Sequence, residues 1–129
     1  MKPEEITLVV LARNEGSRLA ATLAGVPPQI RRLVVDAEST DRTVAVARAA
    51  GAEVIVRPWP GFVAARREAL AFVQTPWTLM LDADERLDSA LAAAILAADG
   101  ASAGYRMRRT TFFCGRAIVG CGWGEERPL

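Results

Sequence analysis

Apolar residues in this chain gather in short unbroken runs, and each run is followed by a stretch of helical spacing. Ile6 to Ala12 is nearly all apolar, as expected of a strand buried on both faces of a parallel sheet. From about Ser17 the spacing changes. Leu19 and Leu23 stand one helical turn apart, and Gly25 with Pro27-Pro28 stops the helix. Arg32 to Asp36 predicts a second strand with Leu33, Val34 and Val35 as its core, and about Arg42 to Ala50 a second helix closed by Gly51. Glu53 to Val56 reads as a third short strand. Beyond the rigid loop Pro58-Trp59-Pro60-Gly61, the residues Phe62, Ala65, Ala69, Phe72 and Val73 recur at helical spacing. They predict an amphipathic helix to Gln74, with Arg66, Arg67 and Glu68 on its other face. Thr75-Pro76 breaks it. Trp77 to Leu81 is a fourth strand. A further helix, capped near Asp88 or Ser89 and carrying Leu91 and Ile95 on one face, ends by Gly100.

Strand and helix alternating in this way imply an α/β fold with a mostly parallel sheet covered by helices on both faces. The chain is expected to form a single domain over 1–129, with 1–100 as the α/β part and 101–129 as a hairpin and the start of a further segment. In that tail Tyr105-Arg106-Met107-Arg108 alternates as a half-exposed strand does, Cys114-Gly115-Arg116 reads as a turn, and Ala117-Ile118-Val119 as the returning strand.

Polar residues cluster where the strands stop. The first run ends at Arg13-Asn14-Glu15, the second at Asp36, the fourth at Asp82-Ala83-Asp84. Open sheets of this kind bind ligands beyond the carboxyl ends of their strands, so three polar sets are expected to converge on one crevice. If the chain is still extended after Leu81, Asp82 and Asp84 point to the same side. Two such carboxylates repel each other unless a cation or a ligand's donors satisfy them. Hard ions such as Mg²⁺ or Mn²⁺ take carboxylates together with phosphate oxygens. Two readings stand at this point: a metal–diphosphate site, or an Asp-rich turn capping the next helix. Asp36 by itself is equally consistent with a helix cap.

Composition narrows the classes. With 129 residues and 51% apolar content the chain is long enough for one real core. Sixteen bases against fifteen acids leave a net charge of +1 and no footprint for nucleic acid. The start, Met1-Lys2-Pro3-Glu4-Glu5, has acids where a secretion signal needs bases, and the run Ala90 to Ala98 is too short for a membrane span. A cytoplasmic protein is expected, any membrane association being peripheral at the inner face. Cys114 and Cys121 match no zinc spacing, and the chain has no histidine. Acid–base chemistry therefore falls to carboxylates. Arg106, Arg108, Arg109 and Arg116 form the one basic cluster, either a solvated hairpin face or a contact for an anionic substrate.

Taken together, these stretches resemble the family-2 glycosyltransferases of the GT-A fold, in particular the branch acting on bacterial lipopolysaccharide core and related cell-surface glycans. Val9-Val10-Leu11-Ala12-Arg13-Asn14-Glu15 is similar to the family's opening strand and Asn-Glu turn. Val35-Asp36-Ala37-Glu38-Ser39-Thr40-Asp41-Arg42-Thr43 is similar to its VDSGSTDRT stretch. Trp59-Pro60-Gly61-Phe62 with Arg66 resembles its W-x-GF-x-x-x-R element, and Leu81-Asp82-Ala83-Asp84-Glu85-Arg86 its LDADER. Phe113-Cys114-Gly115-Arg116 with Gly122-Trp123 looks like the hairpin and GW that follow. The matches run through nearly the whole chain in order.

The resemblance implies a three-layer α/β/α nucleotide-diphospho-sugar transferase fold ending in a β-hairpin, its C-terminal part missing. It implies a UDP-sugar donor, a glycan or lipid-linked acceptor of the cell envelope, and transfer with inversion. Leu11 and Arg13 would line the base, and Glu15 and Asp36 would hold the base or ribose. Arg66 would lie near the uracil or phosphates, Asp82 on the ribose side of the diphosphate, and Asp84 on a Mn²⁺ or Mg²⁺ ion. Glu126, in Trp123-Gly124-Glu125-Glu126, falls on the family's catalytic acid, with a solvated terminal Glu pair as the alternative. Glu38 stands where the family has Gly, and Arg67 where Asn is common, so the nucleotide loop is expected to differ in shape. Members continue well past this length, so the chain looks like a donor-binding part with an exposed apolar edge that invites self-association. A folded fragment that only binds nucleotide is the second reading. A sugar-nucleotidyltransferase lacks its Gly-rich basic loop here, and a phospho-receiver module is opposed by Lys2 being the only lysine.

Overall fold

The computed structural model describes residues 1–119, which fall into two compact units, Met1–Ala98 and a second beginning at Asp99. In the first unit the four apolar runs form the strands β1 (Ile6–Ala12), β2 (Arg31–Asp36), β3 (Glu53–Val56) and β4 (Trp77–Asp82). They make one sheet in the order β3-β2-β1-β4, and every pairing is parallel. The fold is therefore the α/β architecture expected, with the strand order reversing at β1. Register brings the polar ends together: Leu11 lies opposite Asp82 across one side of β1, and Ala12 opposite Asp36 across the other.

The helices are α1 (Leu19–Ala24), α2 (Thr43–Ala49), α3 (Phe62–Leu70) and α4 (Ser89–Ala97). Right-handed crossovers place α1 and α2, which touch each other, on one face and α3 on the opposite face. Beneath α3, Ala69 packs with Val9, Leu33 and Val35, and Leu11, Ile55, Phe72, Val73 and Met80 close over them. Leu8, Val10, Val34, Leu19 and Leu23 are fully or almost fully buried as well, so β1 is apolar but for the buried Thr7, whose hydroxyl is hydrogen-bonded to that of Thr75, because both of its faces are covered.

Helix α3 stops at Leu70, not at Gln74. The amides of Ala71, Phe72 and Val73 bond the carbonyls three residues back, those of Glu68, Ala69 and Leu70. The last turn tightens to 3₁₀ geometry, and this keeps Phe72 and Val73 on the core at helical spacing without continuing the helix. Asp88, not Ser89, caps α4, its side chain accepting from the Leu91 amide at 2.7 Å. A Cβ on Gly25, at the end of α1, would lie 2.8 Å from the Leu87 carbonyl oxygen. Only glycine lets α1 and the segment after β4 approach so closely.

In the second unit the hairpin β5 (Phe112–Phe113) and β6 (Arg116–Ala117) turns through Cys114 and Gly115, both at positive φ (49° and 75°), the conformations of a tight two-residue turn. The returning strand is thus Arg116–Ala117, not 117–119. Tyr105 to Arg108 is not a strand: the alternation is present, but no ladder partner is found among the described residues. The Tyr105 hydroxyl donates to Asp99 at 2.7 Å and accepts from the Gly100 amide at 3.1 Å. No helix among the described residues is long and apolar enough to cross a membrane.

Candidate active site

Beyond the carboxyl ends of β1 and β4, where the strand order reverses, lies an open cleft of about 410 Å³. This is where an open parallel sheet binds its ligands, and the volume is within the range of small-molecule sites. Its floor is Leu11, Ala12, Arg13 and Glu15 from β1 and its turn. Asp82, Ala83 and Asp84 come from the end of β4, and Trp59, Phe62 and Arg66 from the loop before α3 and its first turns.

The acidic turn has a specific architecture. The chain is no longer extended after Asp82. The Glu85 amide donates to the Asp82 carbonyl at 3.0 Å, and the Asp82 amide donates to the Glu85 carboxylate at 3.0 Å. Asp82 and Asp84 share the cleft because a turn carries them there, not because of strand pleat. Between them Ala83 is buried, and its carbonyl accepts a 2.8 Å bond from the buried Thr22 hydroxyl on α1. The two carboxylates flanking that anchor stay 55% and 57% exposed. The helix-capping alternative does not hold for them, since α4 is capped by Asp88.

Cationic side chains stand against both acids. Arg66 Nη2 is 3.6 Å from Asp82 Oδ1, and Arg18 Nη1 is 3.9 Å from Asp84 Oδ2. Arg18 is itself held in a fork by Glu15, with Nε to Oε2 at 2.9 Å and Nη2 to Oε1 at 3.2 Å. Oε1 accepts the hydrogen bond, whereas Oε2 is buried in the ion pair without a hydrogen-bond partner among the described residues. Arg13 is exposed at the rim.

Asp36 does not line the cleft. It is 1% exposed, and its carboxylate accepts from the Ser39 amide at 2.9 Å and the Ser39 hydroxyl at 2.5 Å. The expected three-way convergence is a two-strand convergence, with Asp36 folding the neighbouring loop. That loop is tied to the β1 turn. The Asn14 amide donates to Ser39 Oγ and its side-chain oxygen accepts from the Thr40 amide, each at 2.8 Å. The Glu15 amide donates to Thr43 Oγ1 at 2.9 Å, and the Gly16 amide to Asp41 at 3.0 Å. Hydrogen bonds from the Thr43 hydroxyl, then from the Thr43 and Gly16 amides, hold the Asp41 carboxyl below its ordinary value. Glu38, standing where a glycine was expected from the resemblance, adopts φ +53°. The loop keeps a glycine-like backbone despite the side chain.

Trp59 and Phe62 were not foreseen as lining residues. Their rings meet edge to face at 4.9 Å, and Phe62 is 71% exposed. The signal was their place in Trp59-Pro60-Gly61-Phe62, where Gly61, at φ +97°, turns the chain into α3. A smaller crevice beside the cleft shares Leu11 and Trp59 and adds Val35, Ala37, Arg57 and Glu68. Arg18 and Thr22 left no mark in the pattern that distinguished them from other helix residues. Glu126 lies outside the described residues, as do Cys121 and Trp123.

No group of three or more His, Cys, Asp or Glu side chains able to hold a metal occurs among the described residues. The donor set here is two half-exposed carboxylates facing an open cleft. That set fits a hard divalent ion held jointly with a diphosphate, and it does not fit a stand-alone cage.

The sequence and fold assign the class: the chain belongs to glycosyl transferase family 2, whose model matches residues 7–104. It is 40% identical over 89 residues to an uncharacterized glycosyltransferase of Rickettsia felis, a match covering 68% of this chain and 31% of that protein. It is 39% identical over 89 residues to another of Mycobacterium tuberculosis, covering 69% and 41%. The matched region is thus less than half the length of these relatives. Among solved structures it is similar to glucosyl-3-phosphoglycerate synthase of Mycobacterium tuberculosis in complex with Mn²⁺, UDP and glucosyl-3-phosphoglycerate. The TM-score is 0.56 and the identity 25%, over 63% of this chain and 35% of that one. A mannosyltransferase of Pyrobaculum calidifontis in complex with GDP-Man and Mn²⁺ shares the fold, at TM-score 0.62 and 22% identity over 71% and 31%.

Proposed function

We propose that this chain is the donor-binding part of a glycosyltransferase that moves a sugar from a nucleotide-diphosphate sugar, a UDP-sugar, to a glycan or lipid-linked acceptor of the cell envelope, with inversion. The observation that carries this reading is the pair Asp82 and Asp84, held open to the cleft on either side of the anchored Ala83. The UDP and Mn²⁺ in the similar synthase support it.

Asp84 would ligate Mn²⁺ or Mg²⁺, with Asp82 toward the ribose side of the diphosphate. A bound ion supplies Lewis-acid neutralisation of the leaving diphosphate. Leu11 and Arg13 line the nucleotide end of the cleft. Arg66, drawn to Asp82, is placed for the uracil or the phosphates. Asp36 acts by shaping the loop that closes the nucleotide side, and Glu15 by orienting Arg18. Glu126 is the proposed base. Action at the cytoplasmic face of the membrane, with peripheral attachment, goes with a lipid-linked acceptor. Exposed Phe62 and Val63 are consistent with self-association.

The test is calorimetry of this chain with UDP, GDP, ADP and CDP, with and without Mn²⁺. UDP binding that strengthens with Mn²⁺ is expected. No binding of any nucleotide at millimolar concentration would sink the donor-site reading.

A further inference from the structure

Arg18 is the residue that the donor-site reading leaves without a task. Its guanidinium is ion-paired with Glu15, Nη2 donating to Oε1 at 3.2 Å and Nε lying 2.9 Å from Oε2. Glu15 is largely buried and its backbone is pinned through Thr43, so the fork has a fixed base. A charge-assisted hydrogen bond reinforced by the ion pair favours one side of the guanidinium for Glu15. The nitrogen left over, Nη1, faces Asp84 at 3.9 Å. The side chain is 56% exposed.

Among the lining residues Glu15, Asp82 and Asp84 stand with Arg13 and Arg66, and Arg18 stands beside Asp84. A divalent cation arriving alone meets a carboxylate already facing a positive charge. UDP brings three negative charges against the cation's two, so that pair arrives negative and the same guanidinium attracts it; a UDP-sugar brings two, and the guanidinium then meets only the local charge of its phosphate oxygens.

We propose that Arg18, aimed by Glu15, is the built-in counter-cation of Asp84: it opposes the bare metal ion, gives up Asp84 when metal enters with a diphosphate, and then attracts that diphosphate. Arg18 is a positioning residue that couples the two ligands, so that metal is held well only in company with donor. This inference rests on the donor-site reading above.

The test measures two constants for the wild-type chain, Arg18→Gln and Arg18→Lys: Mn²⁺ alone, by electron paramagnetic resonance titration, and UDP in saturating Mn²⁺, by calorimetry. Arg18→Gln is expected to tighten Mn²⁺ alone about three-fold and weaken UDP with Mn²⁺ about three-fold, effects of the size one exposed charge pair supplies. Arg18→Lys, keeping the charge, should return both toward wild type. Opposite signs are the signature, because a merely structural residue would weaken both. Movement of both constants in the same direction, or no change beyond experimental error, overturns the proposal while wild-type UDP binding leaves the donor site standing. Absence of Mn²⁺ and UDP binding in wild type overturns both.

Discussion

The Thr22 hydroxyl donates to the Ala83 carbonyl at 2.8 Å, buried, linking α1 to the turn after β4 across 61 residues of sequence. Thr22→Val keeps the shape and strands that carbonyl. A buried acceptor without a partner costs about 1–3 kcal/mol. Urea unfolding should show a loss of that size. The metal-dependent part of UDP binding should fall as well, since the two carboxylates flank the anchor.

Asp84→Asn removes a carboxylate that is more than half exposed. The fold should be unaffected, within about 0.5 kcal/mol as for surface changes generally. The gain in UDP affinity on adding Mn²⁺ should disappear. Thermal melts and calorimetry of the same sample separate the two effects. Unfolding without any change in the metal titration would show that Asp84 is structural.

Glu38 holds φ +53°, a conformation costing a side-chain-bearing residue about 1–2 kcal/mol. Glycine avoids that cost but adds about 0.4–1 kcal/mol of unfolded-chain freedom. Glu38→Gly should therefore stabilise by about 0.5 kcal/mol, the difference between those two effects. A melting curve that shifts down instead would show that the Glu38 side chain supports the loop.

Asp41 is held below the ordinary carboxylate value of 3.8, first by the Thr43 hydroxyl and then by the Thr43 and Gly16 amides. A depressed folded-state value means that its stabilisation is present above the unfolded value and is lost as pH falls through the folded one. Stability should thus drop below about pH 4, where the unfolded-state aspartate takes up its proton. Asp41→Asn should flatten that limb in thermal melts between pH 3 and pH 6. Asp99, lowered by the Ala101 amide and the Tyr105 hydroxyl, titrates in the same window and should persist in the variant.

Glu126→Gln, placed in a chain that carries out transfer, should abolish turnover while UDP affinity stays within a few-fold, since a general base contributes to proton removal and not to donor binding. Full transfer activity in that variant would remove Glu126 from the mechanism.

The elements themselves were legible in the residue pattern. The near-continuous apolar run Ile6–Ala12 fits a strand covered on both sides, and the stretch ending at Asp82 a strand at least half-buried, because an unpaired backbone cannot be buried without cost. The acids at the strand ends were equally plain, since local composition records them. Their partners were not. Whether Asp36 opened to the cleft or turned back on Ser39 depended on a loop tied to Asn14 from another strand. The order β3-β2-β1-β4, which sets β1 beside β4 and creates the cleft, left no periodic trace, because βαβ alternation is the same for either side of insertion. The Tyr105–Arg108 alternation needed a neighbouring strand to become a ladder, and the described residues supply none. Thr22 beneath Ala83, and Arg18 facing Asp84, are contacts between residues far apart in the chain. Their energy exists only once the helix is docked, so the tertiary structure alone decided them.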